Sequence, residues 1–252
     1  MIPYQNLAKY YDIIYDLKDM TIKEISYLEW AFENLTKLKV KKVLDAAAGT
    51  GRQVIPLLER GYQVTASDAS AEMLEILEKK LEKRGYPITT FCRDVREIDF
   101  REEFDAAILI FTSFNHLISN RDVELSLSAL YQALRPNGLL VFDVANFLDL
   151  LGRFKSGSVE HFHKDSVNII RSTSPRVDNV EDIFLHDELT FVDDNGVFSS
   201  FAEKIPLRIF TTNEVISFLR GAGFAEIRHF RGWDDRGKKK GNTFRLIFVA
   251  QR

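Results

Sequence analysis

Val43-Leu44-Asp45-Ala46-Ala47-Ala48-Gly49-Thr50-Gly51-Arg52 decides how the chain is read. An apolar, strand-like run enters Asp45, a turn with little or no side chain follows, and a helix then begins. Small side chains let backbone pass close to a ligand, and Gly49 and Gly51 can take positive φ at little cost. The free N–H groups that open a helix favour an anionic or hydrogen-bond-accepting group. The stretch reads as a cofactor turn on a strand-to-helix crossover. It is not the dinucleotide fingerprint Gly-x-Gly-x-x-Gly, because Val54 stands at the third position. It is not a phosphate loop either, since no Gly-Lys-Ser/Thr ending is present.

The totals bound the rest. The chain has 252 residues, 45% hydrophobic and 28% charged, which is the composition of a globular protein with a sizeable core. A net charge of -3 leaves no footprint for general nucleic-acid binding. Cys92 is the single cysteine, so an intramolecular disulfide framework is excluded and a reducing compartment fits. No apolar run approaches the roughly 18 residues that cross a bilayer. The start, Met-Ile-Pro-Tyr-Gln-Asn, has no basic-then-apolar signal pattern. A cytoplasmic location and no membrane partner are expected. The five histidines are scattered without ligand spacing, so no metal site is expected.

Read in order, residues 4–36 are helical, with Tyr11 and Tyr15 four apart on one face and Ile22, Ile25, Leu28, Trp30, Phe32 and Leu35 as apolar positions. Strands are predicted over 42–46, 62–67, 88–93, 104–111 and 139–144, with helices over 51–60, 71–84 and 122–134 between them. Pro56 removes a backbone donor early in the first of these helices and can kink it. Gly61 and Gly85 stop the first two. The run Phe104–Phe111 is continuously apolar, as a central parallel strand is. Beyond residue 146 the texture changes to strands over 167–173, 183–193 and 197–208, with Asp193-Asp194-Asn195-Gly196 as a hairpin turn. Thr211-Thr212-Asn213-Glu214 opens a last helix, and strands over 225–231 and 243–250 close the chain around a tip at Lys238-Lys239-Lys240. That three-lysine run is read as a solvated turn.

Asp68, closing the second strand, can accept hydrogen bonds from both hydroxyls of a ribose, the logic of dinucleotide sites. It can equally support the helix that Ser70 opens, and the two roles are compatible. Cys92 has neither a Pro-Cys pair nor an adjacent base, so it is read as a small core residue and not a nucleophile. The end of the fourth strand, Phe111-Thr112-Ser113-Phe114-Asn115-His116, is where ligands meet an open α/β sheet. His116 is there either a base, a substrate-orienting group or a structural histidine.

The turn at 45–51 strongly resembles the acidic-x-small-x-Gly-x-Gly turn of class I S-adenosylmethionine-dependent methyltransferases, with Ala47 where the commonest form has Gly. Tyr11-Asp12-Ile13-Ile14-Tyr15 is similar to the Tyr-Asp-x-x-Tyr start of small-molecule members, and Leu134-Arg135-Pro136-Asn137-Gly138 to a late landmark of the class. The layout is most like the N-methyltransferases acting on amino sugars and on glycine. The resemblance implies an α/β, Rossmann-like seven-stranded class I sheet with an antiparallel β insertion before the last helix. The expected parts are a helical cap (1–36), the S-adenosylmethionine-binding core (37–150), the insertion (151–208), and a last helix with closing strands (209–252). The insertion covers the substrate cleft, forms a homodimer, or does both, unless it is a purely structural extension.

The resemblance also implies roles. Asp45, Ala46, Ala47, Gly49 and Gly51 would hold the methionine end and Asp68 the ribose. Asp94 would take the adenine amine and Val95 a ring nitrogen; the plain alternative for Asp94 is a turn residue. Ala69, Met73, Phe111 and Ser113 complete the cofactor set. Tyr11 and Tyr15 would close over the methyl group, where electron-rich rings can lie against a sulfonium, and His116 would face the acceptor. The product would be S-adenosylhomocysteine. A small-molecule amine is the expected acceptor. The rivals are a hydroxyl or carboxyl acceptor, and a non-catalytic cofactor-binding module that kept the fold. Base methylation is disfavoured because Phe111-Thr112-Ser113-Phe114 replaces the Asn/Asp-Pro-Pro-aromatic motif, and Cys92 is misplaced for pyrimidine chemistry.

Overall fold

The computed structural model describes residues 4–87, 89–151, 157–238 and 244–252. After a 3-10 turn, Gln5–Tyr10, come α1 (Tyr11–Ile14) and α2 (Lys18–Asn34). The first half of the sheet alternates β1 (Lys42–Asp45), α3 (Val54–Glu59), β2 (Gln63–Asp68), α4 (Ala71–Arg84) and β3 (Thr90–Cys92). Then follow β4 (Phe104–Leu109), α5 (Asn120–Ala133), β5 (Leu134–Ala145) and α6 (Phe147–Leu151). The insertion is β6 (Ser158–Lys164), β7 (Val167–Asp178), β8 (Ile183–Asp194) and β9 (Val197–Arg208). The chain ends in α7 (Thr212–Gly221), β10 (Ala225–Arg231) and β11 (Arg245–Gln251).

Seven strands form one sheet in the order β10-β11-β5-β4-β1-β2-β3, and β6 to β9 form a separate antiparallel sheet. Strands β1 to β5 run parallel, while β11 is antiparallel to both β5 and β10. The C-terminal ends of the parallel strands therefore share one rim. Both faces of the sheet are covered, so β4 is buried at every position. Leu127, Leu130, Val215 and Leu219 of α5 and α7 pack on one face. Ile25, Tyr27, Leu28 and Phe32 of α2, with Phe230 and Trp233, pack on the other. Local signals agree with these helices. Ser70 caps α4, and Ser119 with Asp122 and Thr211 with Glu214 form capping boxes on α5 and α7.

The structure departs from the sequence expectations where polar contacts override pattern. Strand β4 stops at Leu109, because Phe111 and Thr112 take φ values of 71° and 62°. Strand β5 begins at Leu134 and absorbs the expected turn: Asn137 at φ 68° sits in a bulge that shifts the register to β4. Helix α3 starts at Val54, not at Gly51. Pro56 therefore lies in its first turn, where a missing N–H costs little. The insertion has a fourth strand, β6, that the sequence did not suggest. Ile22 is exposed. Cys92 is exposed too, which corrects its reading as a core residue; it lies on the edge strand β3. Ile88, Lys239, Lys240 and Thr243 lie outside the described residues. No helix among the described residues is long and apolar enough to cross a membrane.

Gly51 is fixed by both φ and space. Its φ is 92°, and a Cβ there would stand 2.3 Å from Leu77 Cδ1, on a fully buried leucine. Gly51→Ala is expected to destabilise the protein by about 1–3 kcal/mol, read as a lower urea midpoint at unchanged slope. An unchanged midpoint would contradict this packing.

Candidate functional site

The rim is built from strand ends whose carboxylates collect backbone N–H groups. Asp45 closes β1 and is buried. Its Oδ1 accepts a long hydrogen bond from the Ala47 N–H at 3.4 Å, and its Oδ2 is buried with no partner among the described residues. Burial pushes this carboxyl up to about 7. Beside it, Gly49 at φ 52° leaves open space where a Cβ would project. Asp68 closes β2. Its Oδ2 accepts the Gly49 N–H at 2.7 Å and its Oδ1 the Ser70 N–H at 2.9 Å, so it ties the glycine turn to the start of α4. Both readings made for Asp68 are sterically compatible, because Ser70 itself supplies the cap to Met73 at 3.2 Å. Burial raises Asp68 as well.

Asp94 caps the 3-10 turn Val95–Glu97 and is clamped by Arg96, with Nε to Oδ1 at 2.7 Å and Nη2 to Oδ2 at 2.8 Å. Partial burial pulls the other way, but these bonds hold the carboxyl below its ordinary range. The same guanidinium reaches Asp122 at 2.7 Å. Sequence reasoning had no signal for this clamp. Of the remaining predicted cofactor residues, Ala46 and Met73 are buried, and Ser113 Oγ donates to the Ile110 carbonyl at 3.0 Å. Val95 packs on the core, and Ala69 follows Asp68 at the foot of α4.

The cap brings three tyrosines together. Tyr11 and Tyr15 have ring centroids 4.6 Å apart, and Tyr4 meets them edge-on at 5.8 and 6.0 Å. Phe111 stands 5.6 Å from Tyr15, and His116 6.3 Å from Tyr4. Tyr4 was missed; only its place in the folded cap reveals it. Burial drives the hydroxyls of Tyr4 and Tyr11 well above their ordinary value and that of Tyr15 up to about 12, so all three stay protonated. Burial also lowers His116 to about 4. The imidazole is neutral near pH 7 and makes no side-chain hydrogen bond to a described residue. The cap is latched to the turn by Asp12, which accepts Thr50 Oγ1 at 2.6 Å and pairs with Lys80 at 2.5 Å.

Phe111 is held by charge. The Asp143 carboxylate, buried on β5, accepts the N–H groups of Phe111 at 2.6 Å and Thr112 at 3.1 Å and pairs with Arg245. Arg52 and Arg245 flank the Phe111 ring at 4.1 and 4.9 Å. Arg52 is in turn paired with the buried Glu24 at 3.0 Å. Asn115 donates to the Arg208 carbonyl at 2.8 Å and accepts the Ala145 N–H at 3.0 Å, joining the rim to the insertion. From the insertion, Arg171 Nη1 donates to Tyr15 Oη at 2.8 Å.

Residues 43–138 match the family described as a methyltransferase domain. The chain carries a methyltransferase domain on the class I S-adenosylmethionine-dependent fold. It is similar along its whole length to YqeM of Bacillus subtilis (strain 168), named only as a methyltransferase: 29% identity, 99% of this chain and 97% of that one. A glycine/sarcosine N-methyltransferase of Halorhodospira halochloris is 33% identical over 59% of this chain, which spans 56% of that relative's length. The fold is that of an S-adenosylmethionine-dependent methyltransferase from Clostridium acetobutylicum ATCC 824, with TM-score 0.81 and 20% identity over 98% of both chains. The site suits this methyltransferase's cofactor on its own chemistry. A buried acceptor without a donor, Asp45 Oδ2, lies beside an open glycine cradle, and aromatic faces suit a cation. Among the described residues no group of three or more His, Cys, Asp or Glu could hold a metal.

Asp45, raised from 3.8 to about 7, binds more protons folded than unfolded between those values, so it costs stability as pH rises from 4 to 7. His116, lowered to about 4, acts in the opposite sense between 4 and 6.5. A variant separates them. Asp45→Asn is expected to gain on the parent by on the order of 2–3 kcal/mol more at pH 7.5 than at pH 5, from urea unfolding without cofactor. An equal difference at both pH values would contradict a buried, unpaired Asp45.

Proposed function

We propose that this methyltransferase methylates the nitrogen of a small-molecule amine. In this reading Asp45 and the backbone of Ala47 to Gly51 hold the methionine end of the cofactor. Asp68 keeps the ribose on lone pairs that Gly49 and Ser70 leave free. Asp94 and Val95 bound the adenine, with Ala46, Ala69, Met73, Phe111 and Ser113 around it. Bound S-adenosylmethionine supplies an electrophilic methyl group on a sulfonium. Tyr11 and Tyr15, with Tyr4, close around that group, exclude water and offer electron-rich faces to its charge. Holding the reacting atoms in line can remove roughly 7–11 kcal/mol of barrier in favourable cases.

The observation that carries the choice of acceptor is the neutral His116, half-buried beside Tyr4 without a carboxylate to raise its basicity. A hydroxyl acceptor needs a strong base at the reacting oxygen, whereas an amine lone pair does not. His116 is a positioning residue here. The likeness to glycine/sarcosine N-methyltransferase supports the same choice. The insertion covers the acceptor, which Arg171 on Tyr15 supports.

The test is release of S-adenosylhomocysteine across small amines, amino sugars and phenols. Turnover confined to amines is expected; turnover confined to phenols would overturn the reading. Asp68→Ala is expected to weaken cofactor binding by about 10- to 100-fold in calorimetry, and parent-like affinity would contradict the ribose assignment. His116→Asn is expected to keep the parent's pH profile of kcat between pH 6 and 9 with a modest rise in KM. A rate lost and recovered at high pH would instead make His116 the base.

A further inference from the structure

The insertion sheet carries an inverted pattern. In β8, Glu188 and Thr190 are 4% and 0% exposed, while Leu189 and Phe191 are 42% and 48% exposed. Polar side chains face inward and apolar ones outward. The strand register extends the inversion. Thr173, Glu188 and Glu203 stand directly opposite one another on β7, β8 and β9, and Arg171 stands opposite Thr190. All five are buried. On the same face, Ile169 and Val192 lie on one side of this belt, and Phe184, Ile205 and Leu207 on the other. A face that only had to pack would be apolar throughout.

The belt is not satisfied among the described residues. Both carboxylate oxygens of Glu188, Oε2 of Glu203 and Oγ1 of Thr190 are buried without a hydrogen-bond partner among the described residues. Two carboxylates directly opposite on neighbouring strands repel. The nearest cations do not settle them. Arg171 Nη1 stands 3.9 Å from Glu188 and is spent on Tyr15 at 2.8 Å, while its Nη2 meets Glu160 at 2.7 Å. His186 Nδ1 stands 3.6 Å from Glu188, and burial lowers it below its ordinary value, so it adds no charge near pH 7. Glu160 and Glu188 thus share the Arg171 guanidinium, and Glu203 stands opposite Glu188 with no cation of its own among the described residues. The belt adjoins the tyrosines: Arg171 holds Tyr15, and Glu203 accepts the Tyr4 backbone N–H.

We propose that Glu188 and Glu203 form an anionic seat for the protonated amino group of the acceptor, a primary or secondary amine, and that the pair takes its proton. This rests on the amine reading above and names the residues that select for it. The N–H bond of the ammonium breaks, its electron pair stays on nitrogen as the nucleophilic lone pair, and the proton goes to a carboxylate oxygen of the pair. The seat then holds a neutral amine and one protonated carboxyl, with no change in total charge. Two carboxylates sharing a buried site favour such a single shared proton. Thr173, Thr190 and the Ser158 hydroxyl, 2.8 Å from Thr173 Oγ1, offer hydrogen bonds to the rest of the acceptor.

Thermal shift tests this without knowledge of the natural acceptor. The probes are ethanolamine and glucosamine beside their neutral counterparts ethylene glycol and glucose, at pH 8, with and without saturating S-adenosylhomocysteine. The amines are expected to raise Tm in the parent and their counterparts not to. The Glu188→Gln/Glu203→Gln variant is expected to lose that rise, to melt above the parent without probes, and to bind S-adenosylhomocysteine as the parent does. Equal shifts with the neutral counterparts, no shift with either amine, a parent-like response of the variant, or a variant melting below the parent would each overturn the seat. Loss of S-adenosylhomocysteine binding by the parent itself would instead sink the cofactor assignment, and the amine arm without it still reads the seat.

Discussion

Every parallel strand that reaches the rim must hand its chain to a turn whose N–H groups need acceptors. Here carboxylates at the strand ends meet that need. Asp68 takes Gly49 and Ser70, Asp94 takes Arg96, and Asp143 takes Phe111 and Thr112. Of these rim carboxylates, Asp45 alone keeps a buried oxygen with no partner among the described residues. The rim is therefore negative by construction, and it differs along its length. Asp143 is neutralised by Arg245 and Asp94 by Arg96, so the unsettled charge lies at Asp45 and Asp68, flanking the glycine turn. In the proposed reading a ligand bearing an ammonium and a sulfonium would relieve that charge, and the backbone geometry of the rim also leaves the space at Gly49.

Much of this was legible in the residue order because the parts are local. The glycine turn, Asp68, Ser70 and the capped helices are each set within a few residues, where spacing and side-chain type carry the physics. The alternation of strands and helices was legible from their periods, and the seven-stranded class I sheet was what the resemblance implied. Tyr4, Arg171, Asp143, Arg245 and Asn115 were not legible. Each acts on a partner remote in sequence, and nothing near Arg171 announces Tyr15. The strand β8 was legible as a strand but its facing was not: alternation normally marks the buried face by its apolar side, and here Leu189 and Phe191 point outward. The end of β4 was misjudged because an apolar run gives no warning that Asp143 will pull two successive N–H groups into the left-handed region.

The cap packs against the insertion on one side and the glycine turn on the other. Tyr15 meets Arg171, Tyr10 and Lys9 meet Asp194 at the hairpin tip, and Asp12 bridges Thr50 and Lys80. Exposed pairs such as Lys9–Asp194 contribute little. The apolar contacts of Tyr10 and Ile14 with Ile169 and Val192 give the closure its body. Tyr4, Tyr11 and Tyr15, kept protonated by burial, and His116, kept neutral, do not compete for a proton near pH 7, and the proposed transfer falls to the carboxylates of the insertion.

The most direct measurement is a crystal structure with S-adenosylhomocysteine bound. The ribose hydroxyls are expected on Asp68, the amino group of the homocysteine moiety within hydrogen-bond reach of Asp45 Oδ2, and the sulfur facing Tyr11 and Tyr15. A nucleoside lying elsewhere, or Asp45 Oδ2 still lacking a donor with the ligand in place, would contradict the reading of the rim as a site built to receive a cationic cofactor.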